Sequence, residues 1–417
     1  MRLNWQDKTF SYPKTLIVGF GFLGISIVWP IFNQFIPIFL QAGNSAFAGG
    51  AGIKGFALAP SLALFIMTWD NLINVFVQPW VGARSDRTWN RFGRRKGWLL
   101  LGVPIAIVGF VLIPLAQTAV AIAVYILITN IGMALFRSPT VAWLGDLFDP
   151  DDRSKANGII NLMGGIGGLL AFFVGGYLFE AYGRVAPFVG GAVLLLAAAV
   201  VAVLAVREPR QIAAETAVAD AGVLANLRDV WQSSNKSGLF VLLGILFWFM
   251  AFNALEAGLS SFAVFSLGLS PGTASIYAGS MTIAFILTAV PAGLLGSKIG
   301  RRQTIQIGLV GLTILFALGF LIIQNTLTFI AILLLSGIFW AFVNVNSLPL
   351  VYDYGDESRI GTYTGLYYFS SQLAAVLGPT LGGGLVDLLN DEYRWLWLFG
   401  VIFMALAWLV MRQVKQR

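Results

Sequence analysis

Apolar runs of about 20 residues recur a dozen times along this chain, each long enough as a helix to cross a ~30 Å hydrocarbon core. In lipid a backbone has no partner but itself, so such runs must be helices. They fall at 15–40, 56–83, 97–116, 119–146, 157–180 and 186–206, then at 238–266, 272–297, 303–323, 326–351, 360–388 and 395–411. Only 11% of the 417 residues are charged, about half the usual share of a soluble domain. The first run is too long for a signal-peptide core and lacks a clear small-residue cleavage site, so it reads as a retained first span.

Twelve spans place both termini on one side, and the cations say which. The N-terminal arm, the loops after even-numbered spans and the tail hold 22 of the 26 Lys and Arg residues. By the positive-inside rule both ends are expected to be cytoplasmic. The net charge of +7 is then a topology signal, and a nucleic-acid role drops out. With no cysteine, the chain has no disulfide framework, thiolate chemistry or cysteine metal site. With no histidine, any proton relay must use carboxylates.

The two halves are copies of each other. A basic turn, Gly82 to Arg87 continuing to Gly93-Arg94-Arg95-Lys96, recurs as Gly293 through Ser297-Lys298 to Gly300-Arg301-Arg302. An offset of 207 pairs Arg94-Arg95 with Arg301-Arg302, Asp146 with Asp353, Asp149 with Asp356, Gly158 with Gly365 and Gly175-Gly176 with Gly382-Gly383. Upstream of the turn the offset is 211, so the first copy carries four extra residues around Thr88–Arg91. The expected organisation is an N-terminal six-helix bundle (1–207), a cytoplasmic linker (208–237) and a C-terminal six-helix bundle (238–417). Parallel repeats of this kind suit a carrier that rocks two bundles about a midplane site. In the linker, Val223, Leu224, Leu227, Val230 and Trp231 share one helical face. That pattern fits a helix on the membrane surface or a loosely ordered tether equally well.

Polar residues sort the spans. Spans three, six and twelve are nearly free of them and span nine carries few, so these should face lipid. The others carry stripes at helical spacing: Trp29, Asn33 and Gln34; Asp70, Asn74 and Gln78; Asn130 and Arg137; Asn253, Glu256 and Ser260; Trp340, Asn344 and Ser347; Tyr363, Tyr367 and Ser370. A central polar cavity between two bundles follows as an expectation. A charge at mid-span costs roughly 2.5–3.5 kcal/mol on the insertion scale, so Asp70, Arg137 and Glu256 are singled out. Each has a structural reading beside the functional one. Asp70 and Arg137 suit a coupling site or an ion pair that holds the bundle. Arg137 also suits a side chain reaching the cytoplasmic surface, and Glu256 one at the outer interface. Trp69, Trp340, Tyr363, Tyr367 and Tyr368 fit packing or interfacial anchoring as well as stacking on a sugar. The glycine pairs Gly164/Gly168 and Gly378/Gly382 are expected to allow close helix packing.

The first basic turn, Gly82-x-x-Ser85-Asp86-Arg87-Thr88-x-x-Arg91-x-Gly93-Arg94-Arg95, resembles the loop motif of the major facilitator superfamily. Its expanded form, with Arg137-Ser138-Pro139 through Asp146-Leu147 and Arg153 to Gly158, is similar to the glycoside–pentoside–hexuronide:cation symporter and sucrose-transporter branch. The resemblance spans essentially the whole chain. It implies an all-α polytopic fold of twelve transmembrane helices in two parallel six-helix repeats. Around span two the likeness is to melibiose permease. There the family places two aspartates a turn apart after a tryptophan to hold the coupling cation. Trp69-Asp70 matches the first, whereas Asn74 stands at the second and supplies no charge. The resemblance also implies that Asp86, with Arg87, Arg94 and Arg95, latches the cytoplasmic side near the start of span eleven. Ser297 and Lys298 in the second copy would leave that gate resting on the first half.

The expected function is secondary active transport of a sugar or glycoside by cation symport, with H+ favoured over Na+ and no bound cofactor or metal. The expected substrate and cation residues are Asn33, Gln34, Trp69, Asp70, Asn74, Asn130, Arg137, Asn253, Glu256, Trp340, Asn344, Tyr363 and Tyr367. The expected setting is a bacterial cytoplasmic (inner) membrane, with the carrier a monomer. A proton-coupled exporter of apolar compounds and a non-transporting scaffold or sensor are the alternatives. The acids outside the stripes lie in loops without a nucleophile and base together, so an enzyme is not expected.

Overall fold

A computed structural model of the chain describes residues 5, 7–47, 49–50, 52–208, 236–354 and 360–414. Its helices are α1 (Tyr12–Gln41), α2 (Pro60–Ile66), α3 (Trp69–Arg87), α4 (Lys96–Leu112), α5 (Ala119–Leu147), α6 (Pro150–Tyr182) and α7 (Ala186–Ala205). There follow α8 (Ser237–Ser261), α9 (Pro271–Ile299), α10 (Arg301–Ile322), α11 (Thr326–Tyr354), α12 (Ile360–Leu388) and α13 (Trp395–Arg412). Counting α2 and α3 as one span, 11 helices among the described residues are long and apolar enough to cross a membrane. α12 is equally long, at 29 residues, but Tyr363, Tyr367, Ser370, Ser371 and Gln372 make it more polar. The chain is therefore the all-α polytopic protein that its apolar runs require. The linker face of Val223, Leu224, Leu227, Val230 and Trp231 lies outside the described residues.

Span two departs from the simple expectation. It begins at Pro60 rather than near 56, because Pro60 fixes the φ of a first helical residue while Ala59 stays extended. It then breaks at Met67-Thr68. The Thr68 amide and hydroxyl both bond back to the Phe65 carbonyl, at 2.9 and 2.8 Å, closing the turn before α3 restarts at Trp69.

The chain divides into two compact units. One comprises Met1–Leu40, Trp69–Thr216 and Ser270–Ile276; the other comprises Gln41–Thr68, Ala217–Leu269 and Tyr277–Arg417. Each unit is thus most of one sequence half plus a segment of the other: Ser270–Ile276 at the start of α9 in one, and Gln41–Thr68, from the end of α1 through α2, in the other. The break in span two coincides with the passage from one unit to the other.

Glycine sets the closest helix approaches. A Cβ on Gly102 would sit 2.8 Å from the Gly132 carbonyl, and one on Gly109 2.6 Å from the Thr129 amide, so α4 and α5 pack backbone to backbone. Of the predicted glycine pairs, Gly164 meets Ser26 on α1, Gly378 meets the Met250 backbone on α8, and Gly382 meets Leu396 and Ala254. Gly168 faces open space, so the packing expectation fails there.

Candidate functional site

In the first unit the predicted polar residues come from α1, α3 and α5. The break before Trp69 puts Asp70 in the first turn of α3, where the helix dipole favours a carboxylate. The Asn71 side-chain amide donates to Asp70 at 2.9 Å, and the Arg137 guanidinium lies within electrostatic range. Asn74, one turn on, is buried; Trp69, Asn33 and Arg137 are partly buried. Gln34 is 3% exposed and Asn130 2%. Gln34 Oε1, both polar atoms of the Asn130 amide and Trp29 Nε1 find no hydrogen-bond partner among the described residues. A buried polar group left unpaired costs about 1–3 kcal/mol, so four such atoms on two helices suit a polar ligand.

The second unit is aromatic. Trp340 on α11 stacks on Phe252 of α8, with centroids 3.8 Å apart and planes within 4°. Phe249 meets the edges of both Trp340 and Tyr367. The Tyr367 hydroxyl lies 3.1 Å from Ser347 Oγ, which itself donates to the Asn344 carbonyl at 2.7 Å. Thus α8, α11 and α12 bring Trp340, Tyr367 and the Asn344 backbone together. Asn253 and Tyr363 are partly buried, and Glu256 is exposed on α8.

The first basic turn is an ion cluster. The extra residues around Thr88–Arg91 lead into a tight turn in which the Asn90 and Gly93 amides each donate to the other's carbonyl, at 3.2 and 3.1 Å. Gly93 sits at φ +131°, a conformation that needs glycine. Arg94 and Arg95 both bond Asp86, at 2.8 and 2.6 Å. Arg95 also bonds Asp146 at the end of α5, at 2.8 Å, as well as Ser85 Oγ. Burial works against the charge on Arg95, but the Asp146 and Asp86 carboxylates outweigh it and hold its pKa above the ordinary arginine value. Arg87 closes α3, exposed.

Sequence reasoning missed Glu208, which it assigned to the linker. Its carboxylate accepts from the backbone amides of Arg94, Arg95 and Lys96 at the start of α4 and from Trp143 Nε1, the Lys96 and Trp143 bonds at 3.1 and 2.9 Å. An acid two residues past the end of an apolar run, after Arg207, was the local signal. It also missed Gln41, fully buried, which donates to Ser261 Oγ at 3.0 Å and accepts from the Tyr393 hydroxyl.

Residues 17–393 match the family model described as MFS/sugar transport protein. The chain belongs to that family. Its fold is similar to that of a mutant of the nucleoside transporter NupG, with a TM-score of 0.76 at 14% identity, over 96% of this chain and 100% of that one. It is 26% identical over 414 residues to Multidrug resistance protein 2 of Bacillus subtilis (strain 168), covering 96% of each chain. It is 31% identical over 140 residues to Proton-associated sugar transporter A of Mus musculus, covering 29% of this chain and 19% of that one. The family and the structural neighbours are membrane transporters rather than enzymes. The chain is accordingly a multi-pass secondary transporter with a small-molecule substrate.

Proposed function

We propose that this transporter moves a sugar or glycoside by proton symport, through alternating access across a bacterial cytoplasmic membrane. The reading is carried by the buried, unpartnered polar atoms of Trp29, Gln34 and Asn130 in the unit that holds Asp70 and Arg137. Hydroxyl groups of a solute supply both donors and acceptors to such atoms. Asp70 is the coupling group in this scheme, with Asn74 supplying a neutral oxygen where a sodium site would call for a second charge. The tyrosines and Trp340 of the other unit offer ring faces for sugar CH groups. The cation distribution supports cytoplasmic termini, and we take the carrier to act as a monomer. The similarity to a sugar transporter named as proton-associated supports the same reading.

A second reading, proton-coupled export of apolar compounds, is favoured by the relative named for multidrug resistance, which matches over nearly the whole chain. The Phe249, Phe252, Trp340 and Tyr367 cluster suits it. Proteoliposomes separate the two readings. Under an imposed pH gradient, a panel of labelled mono-, di- and oligosaccharides is expected to include one that accumulates, and Asp70→Asn is expected to abolish accumulation while leaving counterflow exchange. Unchanged accumulation in Asp70→Asn removes Asp70 as the coupling group. Extrusion of a lipophilic cation with no sugar accumulation establishes the exporter.

A further inference from the structure

The extra residues of the first basic turn help to line a cavity of about 480 Å³ where α4 begins and α7 has just ended, inside one compact unit. Arg91, Lys96 and Arg207 bring cations to it, Trp89 and Phe92 bring rings, and the Glu208 carboxylate forms part of the wall. That carboxylate is already engaged by the amides of Arg94, Arg95 and Lys96 and by Trp143 Nε1. The side chains of Lys96 and Arg207 make no hydrogen bond or ion pair among the described residues. Arg91 lies over the Phe92 ring, 4.6 Å from its centroid, and has no carboxylate partner among the described residues. The cavity therefore presents more positive charge than its own acid offsets.

The second half has no counterpart of these cations. At the offset of 207, Gln303 stands for Lys96 and Val414 for Arg207, and the residues around Arg91 are the ones that the second turn lacks. Topology asks for cations on this face of the membrane, but not for their convergence on one cavity with aromatic rings between them.

The surroundings of the cavity say what kind of anion fits. α4 and α7 pack against each other, and they are the two most apolar of the 11 candidate spans among the described residues. Leu100, one turn past Lys96 on the same face of α4, is 42% exposed, and Leu204, in the last turn of α7, is 76% exposed. Trp80 and Trp98 meet edge to face at 5.9 Å, and Trp80 and Trp89 are both exposed. Exposed indoles favour the headgroup level of a bilayer. The cations thus stand where an apolar, lipid-facing surface meets the polar edge.

We propose that this cavity is a binding site for the phosphate of an anionic glycerophospholipid, whose acyl chains run down the exposed leucines of α4 and α7. Arg91, Lys96 and Arg207 donate to the phosphate oxygens, and the rings cover the glycerol. The chemistry recognised is a phosphate ester, and the apolar continuation assigns it to a lipid rather than to a free anion. A zwitterionic headgroup is disfavoured, because its ammonium would meet the same three cations. Basic pockets between spans recognise anionic headgroups by this combination of charge and shape.

The test is a titration of the purified full chain in a neutral detergent with palmitoyl-oleoyl phosphatidylglycerol, following the fraction that retains one lipid by native mass spectrometry. Lys96→Gln and Arg207→Val install the residues of the second copy. Each is expected to weaken retention about fivefold, and the two together about thirtyfold. Arg91→Gln, in an exposed turn where the change does not threaten folding, is expected to weaken it about fivefold as well. Lys298→Gln removes an exposed cation on the same face and is expected to leave retention at the parent value. Phosphatidylcholine should be retained at least tenfold more weakly than phosphatidylglycerol, and millimolar inorganic phosphate should not displace the lipid. Parent-like retention in the folded double variant and in Arg91→Gln overturns the proposal. An equal loss in Lys298→Gln overturns it in favour of diffuse surface attraction. Equal retention of phosphatidylcholine, or displacement by inorganic phosphate, overturns the assignment to an anionic lipid.

Discussion

In the first half, Arg95 is 4% exposed and bonds two carboxylates and a hydroxyl; its repeat partner Arg302 instead donates to the last carbonyls of α13, those of Met411 and Arg412, at 3.2 and 3.1 Å. The pairing of the shared aspartate has shifted too. Asp146 is bonded mainly by Arg95, whereas Asp353 is bonded by Arg301, with both of the latter about two-fifths exposed. The amides at the start of α4 are closed by Glu208, while the residue before α10 is Gly300, which has no side chain to cap it. Duplication thus preserved the arginines, which a membrane edge wants as cations, and left their partners free to change. Where the partner became a buried acid, the arginine turned into a structural element. Where the partner is a carbonyl at a helix end, it remains a dipole complement that lysine can also supply.

This difference predicts unequal responses to the same change. Asp146→Asn takes one of two carboxylates from the buried Arg95 guanidinium, leaving Asp86 to hold its charge, and is expected to cost about 1.5–3 kcal/mol, read as a fall in melting temperature in detergent. Asp353→Asn, at an exposed pair, should cost under about 1 kcal/mol. Equal losses would break the comparison. Glu208→Ala removes the acceptor for three amides and an indole and is expected to cost about 1–2 kcal/mol, with Trp143 fluorescence shifting as its donor is freed. An unshifted spectrum would mean that the carboxylate does not close the turn in solution. Asp86→Asn should have the smallest effect on stability, under about 1 kcal/mol, because that carboxylate is half exposed. Its expected effect is on cycling, with slowed turnover and near-normal ligand affinity, while Ser297→Asp leaves turnover unchanged. Normal turnover in Asp86→Asn would remove the gating role and with it the functional asymmetry of the turns.

Span positions and the duplication were legible because apolar length and repeated glycines are local signals. Asp70 and Arg137 stand out in the sequence because charges are rare inside spans, and the fold brings them within electrostatic range of each other. Partners joined only by the fold were not. Asp146 reads from the sequence as a repeat marker, and its bond to Arg95 depends on the glycine-set crossing of α4 and α5. Tyr393 and Gln41 are 352 residues apart in the chain, and neither carries a charge to draw notice. The break at Met67-Thr68 hides in a run whose hydrophobicity alone supports one continuous helix. The hydroxyl and amide of Thr68 decide otherwise by bonding back to Phe65.

The exchange of second-span ends between the units has a consequence for biosynthesis. Glu180 meets Ser270, 90 residues later in the chain, so the first unit stays unfinished while the whole linker and the seventh span emerge from the ribosome. Ser61 waits longer still, for Asp387 near the end of synthesis. Neither half expressed alone can complete its own unit, and two halves made as separate chains should gain protease resistance only when both are present in one membrane.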